Sequence, residues 1–272
     1  MGMMNSTEFS HRKLPVIGKR VLRMGLAPNY GISSDGVDWA LGEGGMQYVF
    51  FTPRMKTAID PLRRALKRDR DRYVVATGPT TAWWSGGIRR FIDRTRAMLE
   101  INKLDVLQVF WVGKTSRWTP AIAAELEALR DEGAVRAIGV SIHDRKRAAE
   151  LARTTSLDLL MIRYNAAHPG AEVDIFPNLP DGRHTVVSYT ATCWRRLLKR
   201  PKDWEGEMPT AADCYRFCLS SPQVDVVLTG PKTVGQLREN LAALERGPFD
   251  EEKMAWMKAF GSRVEGRGFN WL

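Results

Sequence analysis

The sequence predicts an α/β fold of the (β/α)8 type, the TIM barrel, and three observations support this prediction. Eight short runs, mostly apolar and rich in β-branched residues, recur along the chain and are typical of strands buried on both faces. Helix-length amphipathic segments separate most of these runs, which indicates parallel strands joined by right-handed crossovers. The chain has 272 residues, close to the ~250 residues that are typical of such a barrel.

The predicted elements follow one another along the whole chain. The strands are Val21–Leu26, Gln47–Phe51, Tyr73–Thr77, Val106–Trp111, Ala137–Val140, Leu159–Arg163, Thr185–Thr190 and Val224–Thr229. Helices are predicted between several of them, at Ile88–Ile101, Pro120–Glu132 and Asp144–Arg153. Thr119 is the predicted N-cap of the second helix, and Gly133 is its predicted stop. Residues 1–13 are predicted to be a flexible leader, and residues 14–272 a single barrel domain.

Composition and charge limit the classes of function. Hydrophobic residues make up 44% of the chain and charged residues 26%, which predicts a packed core. The 41 Lys and Arg against 31 Asp and Glu give a net charge of +10, which favours anionic ligands. The basic residues are dispersed and no nucleic-acid-binding module is visible, so we expect a small-molecule substrate and no nucleic acid. No apolar run reaches ~18 residues, so no membrane association through a spanning helix is expected.

The cysteine content predicts the compartment and argues against a metal site. The three cysteines, Cys193, Cys214 and Cys218, are an odd and low number that is typical of a reducing compartment, which predicts a cytoplasmic location. Cys214 and Cys218 lie four residues apart on a predicted helix, without a nearby histidine to complete a set of metal ligands. We therefore expect them in the core and predict no metal site.

Several segments, in order along the chain, resemble the aldo-keto reductase superfamily. Residues 133–141 read GAVRAIGVS, close to the GKVRAIGVSN of that family. The other segments are Gly45–Val49, Leu104–Gln108, Tyr189–Thr190, Leu228–Lys232 and Gln236–Leu241. Together they cover about residues 14–262. The resemblance implies a (β/α)8 barrel that binds a nicotinamide cofactor and reduces carbonyl compounds.

The resemblance also implies a four-residue catalytic site that this sequence lacks. The family uses a tyrosine as the proton donor, with a lysine, an aspartate and a histidine around it. The aligned residues here are Phe50 for the aspartate, Met55 for the tyrosine, Gly78 for the lysine and Phe110 for the histidine. None of them can donate a side-chain proton or carry a charge near neutral pH. We expect the substrate pocket to be apolar or aromatic instead, formed by Phe50, Met55, Phe110 and Trp111.

The cofactor end of the family pattern is better preserved. Gly230-Pro231-Lys232 leads into a helix, an arrangement that binds phosphate, and the resemblance implies NADP(H) with Lys232 at its 2′-phosphate. Ile142 and Met161 replace the amides that would hold the nicotinamide. The alternative is that this end is retained because it packs the last helix, which gives no reason for a glutamine at 236. The expected cofactor-binding residues are Ser141, Tyr189, Thr190, Gly230, Lys232, Gln236, Glu239 and Asn240.

Polar residues at the other strand ends are candidates for replacement chemistry. Arg163 ends an otherwise apolar strand, and a buried guanidinium needs an anionic partner. That partner is a ligand or, alternatively, an internal ion pair with Glu172 or Asp174. His143 and His168 are candidate proton donors, and the alternative for each is a hydrogen bond to the backbone.

Two functions remain open from the sequence. The first is an atypical, NADP(H)-linked oxidoreductase that acts on an unidentified carbonyl compound, with Arg163, His143 and His168 as the catalytic candidates. The second is a non-redox barrel. It would be a ligand-binding or regulatory protein, or a lyase or isomerase that uses His143 or His168.

Overall fold

Eight parallel strands close into a barrel in the computed structural model, which describes residues 9–180 and 182–265. The strands that form it are β3 (Met24–Leu26), β4 (Tyr48–Phe50), β5 (Val74–Thr77), β6 (Leu104–Val112), β7 (Val135–Ile142), β8 (Leu159–Arg163), β9 (Thr185–Tyr189) and β10 (Val226–Thr229). They pair in chain order, and β10 closes the barrel against β3. The predicted (β/α)8 fold is therefore confirmed.

Helices follow most of the barrel strands on the outside. Within the described ranges they are α1 (Ser34–Leu41), α2 (Ile59–Arg68), α3 (Gly87–Leu99), α4 (Pro120–Asp131), α5 (Arg145–Thr154), α6 (Ala171–Asp174), α7 (Ala211–Ser220), α8 (Val234–Glu245) and α9 (Glu251–Glu265). Short 3-10 helices lie at Lys56–Ala58, Phe176–Asn178 and Arg196–Leu198. The predicted start and stop of α4 are confirmed. Thr119 accepts a hydrogen bond from the backbone N–H of Ile122, and Gly133 has a left-handed φ of 76°.

The first predicted strand, Val21–Leu26, is wrong as a single element. The structure divides it at Arg23 into β2 (Arg20–Leu22), which pairs with β1 (His11–Lys13), and the barrel strand β3. The Arg23 side chain is fully buried and donates hydrogen bonds to four carbonyl oxygens, those of Phe9, Leu219, Ser221 and Val224. The chain changes partner here because this guanidinium must reach backbone acceptors outside the barrel.

The β1–β2 hairpin covers the amino-terminal end of the barrel. Leu14, Ile17 and Val21 pack with the apolar side chains inside the barrel. Residues 11–13 of the predicted leader therefore form a strand, and residues 1–8 of it lie outside the described part of the chain. The barrel interior is a packed core rather than a pore, so the functional surface is expected at the opposite, carboxyl end of the strands. We call that end the mouth.

Candidate active site at the barrel mouth

Three polar side chains lie in one row at the ends of β7, β8 and β9. Arg163 pairs with Tyr189 across β8 and β9, and Ile142 pairs with Ile162 across β7 and β8. His143 directly follows Ile142, so it lies at the level of Arg163 and Tyr189. The Tyr189 hydroxyl lies 3.2 Å from both ring nitrogens of His143. We call His143, Arg163 and Tyr189 the polar row.

The environment of the polar row sets the protonation of its members. Burial, together with the positive charges of Arg163 and Lys114, lowers the pKa of His143, so the imidazole is neutral at pH 7. Burial raises the pKa of Tyr189, against the opposing effect of Arg163, so the phenol keeps its proton. A neutral imidazole donates through one nitrogen and accepts through the other. The row therefore offers a neutral donor pair beside a permanent positive charge.

Arg163 has no acidic partner among the residues that the structure describes. The two candidates for an internal ion pair are engaged elsewhere. Glu172 binds Lys258 at 2.6 Å, and Asp174 binds Arg145 at 2.5 Å. The ion pair that was the alternative for Arg163 therefore does not form, and the guanidinium remains available to a ligand.

His168 lies apart from the polar row, although it was a catalytic candidate. Its Nδ1 atom is 3.2 Å from Oδ1 of Asn165 and 3.7 Å from Sγ of Cys193. Burial, then Arg163 and two further arginines, lowers the pKa of His168 to about 4. Burial also raises the pKa of the Cys193 thiol. One ring nitrogen makes both contacts, so these residues do not form a relay that could activate the thiol.

Asn165, which lies beside His168, connects two loops of the barrel mouth. Its Nδ2 atom donates to the carbonyl oxygen of Thr190 at 2.8 Å, and its Oδ1 atom accepts from the backbone N–H of Ala167 at 3.0 Å. The loop after β8 is thereby fixed to the loop after β9. His168, next to Asn165, supports the loops that carry the polar row.

The side of the mouth formed by β4 and β6 is apolar. The rings of Phe50 and Phe110, two residues of the predicted substrate pocket, lie 5.2 Å apart. Trp111 is 42% exposed at the end of β6. Met55 packs in the cluster between the barrel and its helices, and Phe50 contacts both this cluster and the interior one. The structure thus brings Phe50 and Phe110 together and places Met55 in the outer cluster.

Gly78 cannot be replaced by a larger residue without moving the backbone. A Cβ atom built on Gly78 would lie 1.6 Å from the carbonyl oxygen of Gln108 in β6. Gly78 is the residue that the family resemblance aligns with the lysine. The backbone of β6 therefore occupies the space in which that side chain would begin.

The turn between β10 and α8 presents free donors at the mouth. Thr233 caps α8 by accepting from the backbone N–H of Gln236. In the described part of the chain, the N–H groups of Val234 and Gly235 have no acceptor and the Lys232 side chain has no partner. A helix N-terminus with free N–H groups and an adjacent cation attracts phosphate. This turn therefore has the properties of a phosphate site.

Two other residues predicted at this end, Gln236 and Asn240, have internal partners. Oε1 of Gln236 accepts the backbone N–H of Lys232 at 2.9 Å. Nδ2 of Asn240 is buried and donates to the Thr229 hydroxyl at 2.9 Å. Glu239, another predicted cofactor residue, is exposed. At Gly230, also predicted, the ring of Tyr30 lies against the backbone. Gln236 thus stabilises the turn, a structural reason for this glutamine that the sequence did not reveal.

The remaining predicted cofactor residues lie around the polar row. Ser141 is buried near the end of β7, and the Thr190 hydroxyl donates to the carbonyl oxygen of Tyr189 at 2.6 Å.

Cys214 and Cys218 are buried in α7, as expected for core residues. Among the described residues, no group of three or more His, Cys, Asp or Glu could hold a metal ion. No helix in residues 9–180 and 182–265 is both long enough and apolar enough to cross a membrane.

Comparisons with known proteins agree with this fold. The aldo-keto reductase AKR11C1 of Bacillus halodurans is 18% identical, with a TM-score of 0.74 over 92% of this chain and 96% of that chain. An aldo-keto reductase of Klebsiella pneumoniae, solved with NADPH, is 17% identical, with a TM-score of 0.72 over 93% and 95%. A structure from the same organism, solved with NADP and acetate, is 17% identical, with a TM-score of 0.71 over 92% and 96%.

Sequence comparison identifies the family. No curated protein sequence matches this chain. The profile of the Aldo/keto reductase family, however, matches residues 49–190, from β4 to the end of β9, and thus includes the whole polar row. The chain belongs to the aldo/keto reductase family.

Proposed function

We propose that this protein is an NADP(H)-linked oxidoreductase that reduces a carbonyl compound with the polar row in place of the four-residue site of its family. One observation carries the proposal. The Tyr189 hydroxyl lies 3.2 Å from the His143 ring nitrogens, in the same row as an Arg163 that has no partner among the described residues. Relatives of the same fold that were solved with NADPH or NADP support the choice of cofactor.

The free donors of the structure fit part of the cofactor. Lys232 and the N–H groups of Val234 and Gly235 would hold phosphate, since they have no partner in the described residues. The half-buried Tyr189 ring, with Ser141 near it in the barrel, would lie against the nicotinamide. NADPH, when bound, supplies the hydride.

The polar row supplies the rest of the reduction. The neutral imidazole of His143 donates an N–H hydrogen bond to the carbonyl oxygen, and Arg163 stabilises the negative charge that develops there. The oxygen also takes up one proton, which the Tyr189 hydroxyl gives up, and the phenolate that remains beside Arg163 regains a proton from water after the product leaves. Phe50 and Phe110 keep water from the opposite side of the carbonyl group.

A non-redox reaction at the same row is the second candidate. Ile142 and Met161 are buried where the family pattern has amides for the nicotinamide. Gln236 and Asn240 are engaged within the protein. These observations favour a lyase or isomerase in which His143 and Tyr189 transfer a proton without hydride transfer.

A titration distinguishes the two candidates. NADPH is added to the purified protein while nicotinamide fluorescence is followed, and binding is expected below ~100 μM, within the usual range of KM values. A screen of carbonyl compounds, followed by loss of nicotinamide absorbance, then tests hydride transfer. Failure to bind NADPH at ~100 μM would remove the oxidoreductase proposal and leave the non-redox reaction.

A further inference from the structure

A cleft of about 460 Å³ opens beside the polar row, at the ends of β6, β7 and β8. His143 and Arg163 form part of its wall, with Lys114 from the turn after β6 and Lys146 from the first turn of α5. Because two members of the row line the cleft, a ligand in it would touch both. A groove of about 490 Å³ between α1 and α8 lies outside the barrel and contains no member of the row.

The cleft has an excess of positive charge. The side chains of Lys114, Lys146 and Arg163 make no hydrogen bond or ion pair with any residue in ranges 9–180 and 182–265, although the Lys114 backbone N–H donates to the carbonyl oxygen of Trp111. Like charges that share a small space repel one another and gain from a bound anion. We call Lys114, Lys146, Arg163 and the space between them the cationic cleft.

The acidic residues at the cleft do not neutralise these cations. Asp174 is paired with Arg145 at 2.5 Å, so the charges of these two residues cancel. Asp144 is the N-cap of α5, and its carboxylate accepts the backbone N–H of Arg147 at 2.9 Å. Counting all charged residues of the lining, Lys114, Arg145, Lys146 and Arg163 stand against Asp144 and Asp174, an excess of two positive charges.

We propose that the cationic cleft binds an oxyanion of the substrate, a carboxylate or a phosphate group. The protein would then act on anionic carbonyl compounds, a part of the inference that rests on the proposed function. The anionic group would lie between Lys114, Lys146 and Arg163, and the carbonyl group would reach His143 in the same wall. Phe50 and Phe110 would contact the uncharged part of the substrate.

The position of the cleft argues against the phosphates of the cofactor as its occupant. In the barrel order, β6 lies opposite β10, with three strands between them on either side. Lys232 and the free N–H groups of α8 follow β10, whereas Lys114 follows β6. The mouth therefore has two separate anion sites, one for each ligand.

Calorimetric titration of the full chain without nicotinamide tests the cleft directly. The probes are phenylglyoxylate, its uncharged methyl ester and inorganic phosphate. The test variant is K114Q/K146Q, and the matched control is K13Q/K67Q, which removes two exposed lysines that have no side-chain partner in the described residues. Both variants lower the net charge of +10 by two.

The expected result is binding of at least one oxyanion to the wild-type protein and weaker binding of the ester. Oxyanion binding should be about 5- to 10-fold weaker in K114Q/K146Q and within about twofold of wild type in the control. Preference for phenylglyoxylate or phosphate then identifies the anion. The proposal is overturned if neither oxyanion binds, if acid and ester bind alike, or if the two variants behave alike.

This outcome is independent of the proposed reaction. Oxyanion binding together with failure to bind NADPH would retain the cleft as a ligand site and remove the oxidoreductase. NADPH binding without oxyanion binding would retain the oxidoreductase and remove the cleft as a ligand site.

Discussion

On the β4–β6 side of the mouth, Phe50 and Phe110 are in contact, and the backbone of β6 fills the space beside Gly78. On the β7–β9 side, His143, Arg163 and Tyr189 lie in register at the strand ends. On the first side Phe50 and Phe110 offer apolar contacts, whereas the second side has proton donors and the positive charge of Arg163. The difference shows that the polar groups of this mouth lie at other strand ends than the residues that the family resemblance aligns with the catalytic positions.

The largest effect is expected at Gly78. Gly78→Ala should lower the free energy of unfolding by at least about 3 kcal/mol, because the new Cβ must displace the backbone of β6. Gly78→Lys should not give folded protein. Urea denaturation followed by circular dichroism measures both.

Gly87→Ala is the matched control for that experiment. Gly87 begins α3 and has nothing within 4 Å of a built Cβ. The change should leave stability the same or raise it by up to about 1 kcal/mol. A Gly78→Ala protein as stable as the control would show that the apolar side has room for a side chain.

A smaller effect is expected at Lys232, which follows β10. Lys232→Ala should weaken NADPH binding about tenfold, or about 1.4 kcal/mol, and leave NADH binding unchanged, because the lost charge faces the extra phosphate. Fluorescence titration measures both affinities, with Lys67→Ala as the control. Equal losses for NADPH and NADH would show that Lys232 does not distinguish the two cofactors.

The smallest effect concerns His168, which supports the polar side. Burial lowers its pKa from 6.5 to about 4 in the folded protein, so the unfolded chain binds a proton there at a higher pH than the folded chain does. The associated stability is complete above pH 6.5 and is lost as the pH falls towards 4. Allowing for its partial exposure, His168 should account for about 1 kcal/mol of the loss between pH 7 and pH 5.

His168→Gln isolates that contribution, because an amide can still bond to Asn165 and does not titrate. Urea denaturation at several pH values should give a shallower pH dependence for the variant than for the wild-type protein. Parallel pH profiles would mean that His168 is not held neutral by its surroundings.

The sequence was sufficient to predict the barrel but not the β1–β2 hairpin that covers its amino-terminal end. The apolar runs predicted all eight barrel strands, because strands that are buried on both faces are continuous apolar segments. The same criterion joined β2 to β3, since Arg23 lies within one such run. Its partners, the carbonyl groups of Phe9, Leu219, Ser221 and Val224, are distant in sequence and become visible only in the fold.

Individual residues of the candidate site could be predicted from the sequence, but their positions relative to one another could not. Arg163 and His143 were identified from their positions at strand ends, but their alignment with Tyr189 depends on strand register. Lys114 and Lys146 were missed, because they come from different β/α units and are unremarkable in sequence. The sequence signal that could have identified them is the presence of basic residues just after adjacent predicted strands.

One kinetic comparison tests the central claim most directly. For a carbonyl compound that the protein reduces, kcat/KM is measured in His143→Ala and in Phe110→Leu, one change on each side of the mouth. We predict a loss of at least ~100-fold for His143→Ala and less than ~10-fold for Phe110→Leu, with both proteins folded. Equal losses, or a larger loss for Phe110→Leu, would contradict the assignment of the chemistry to the polar row.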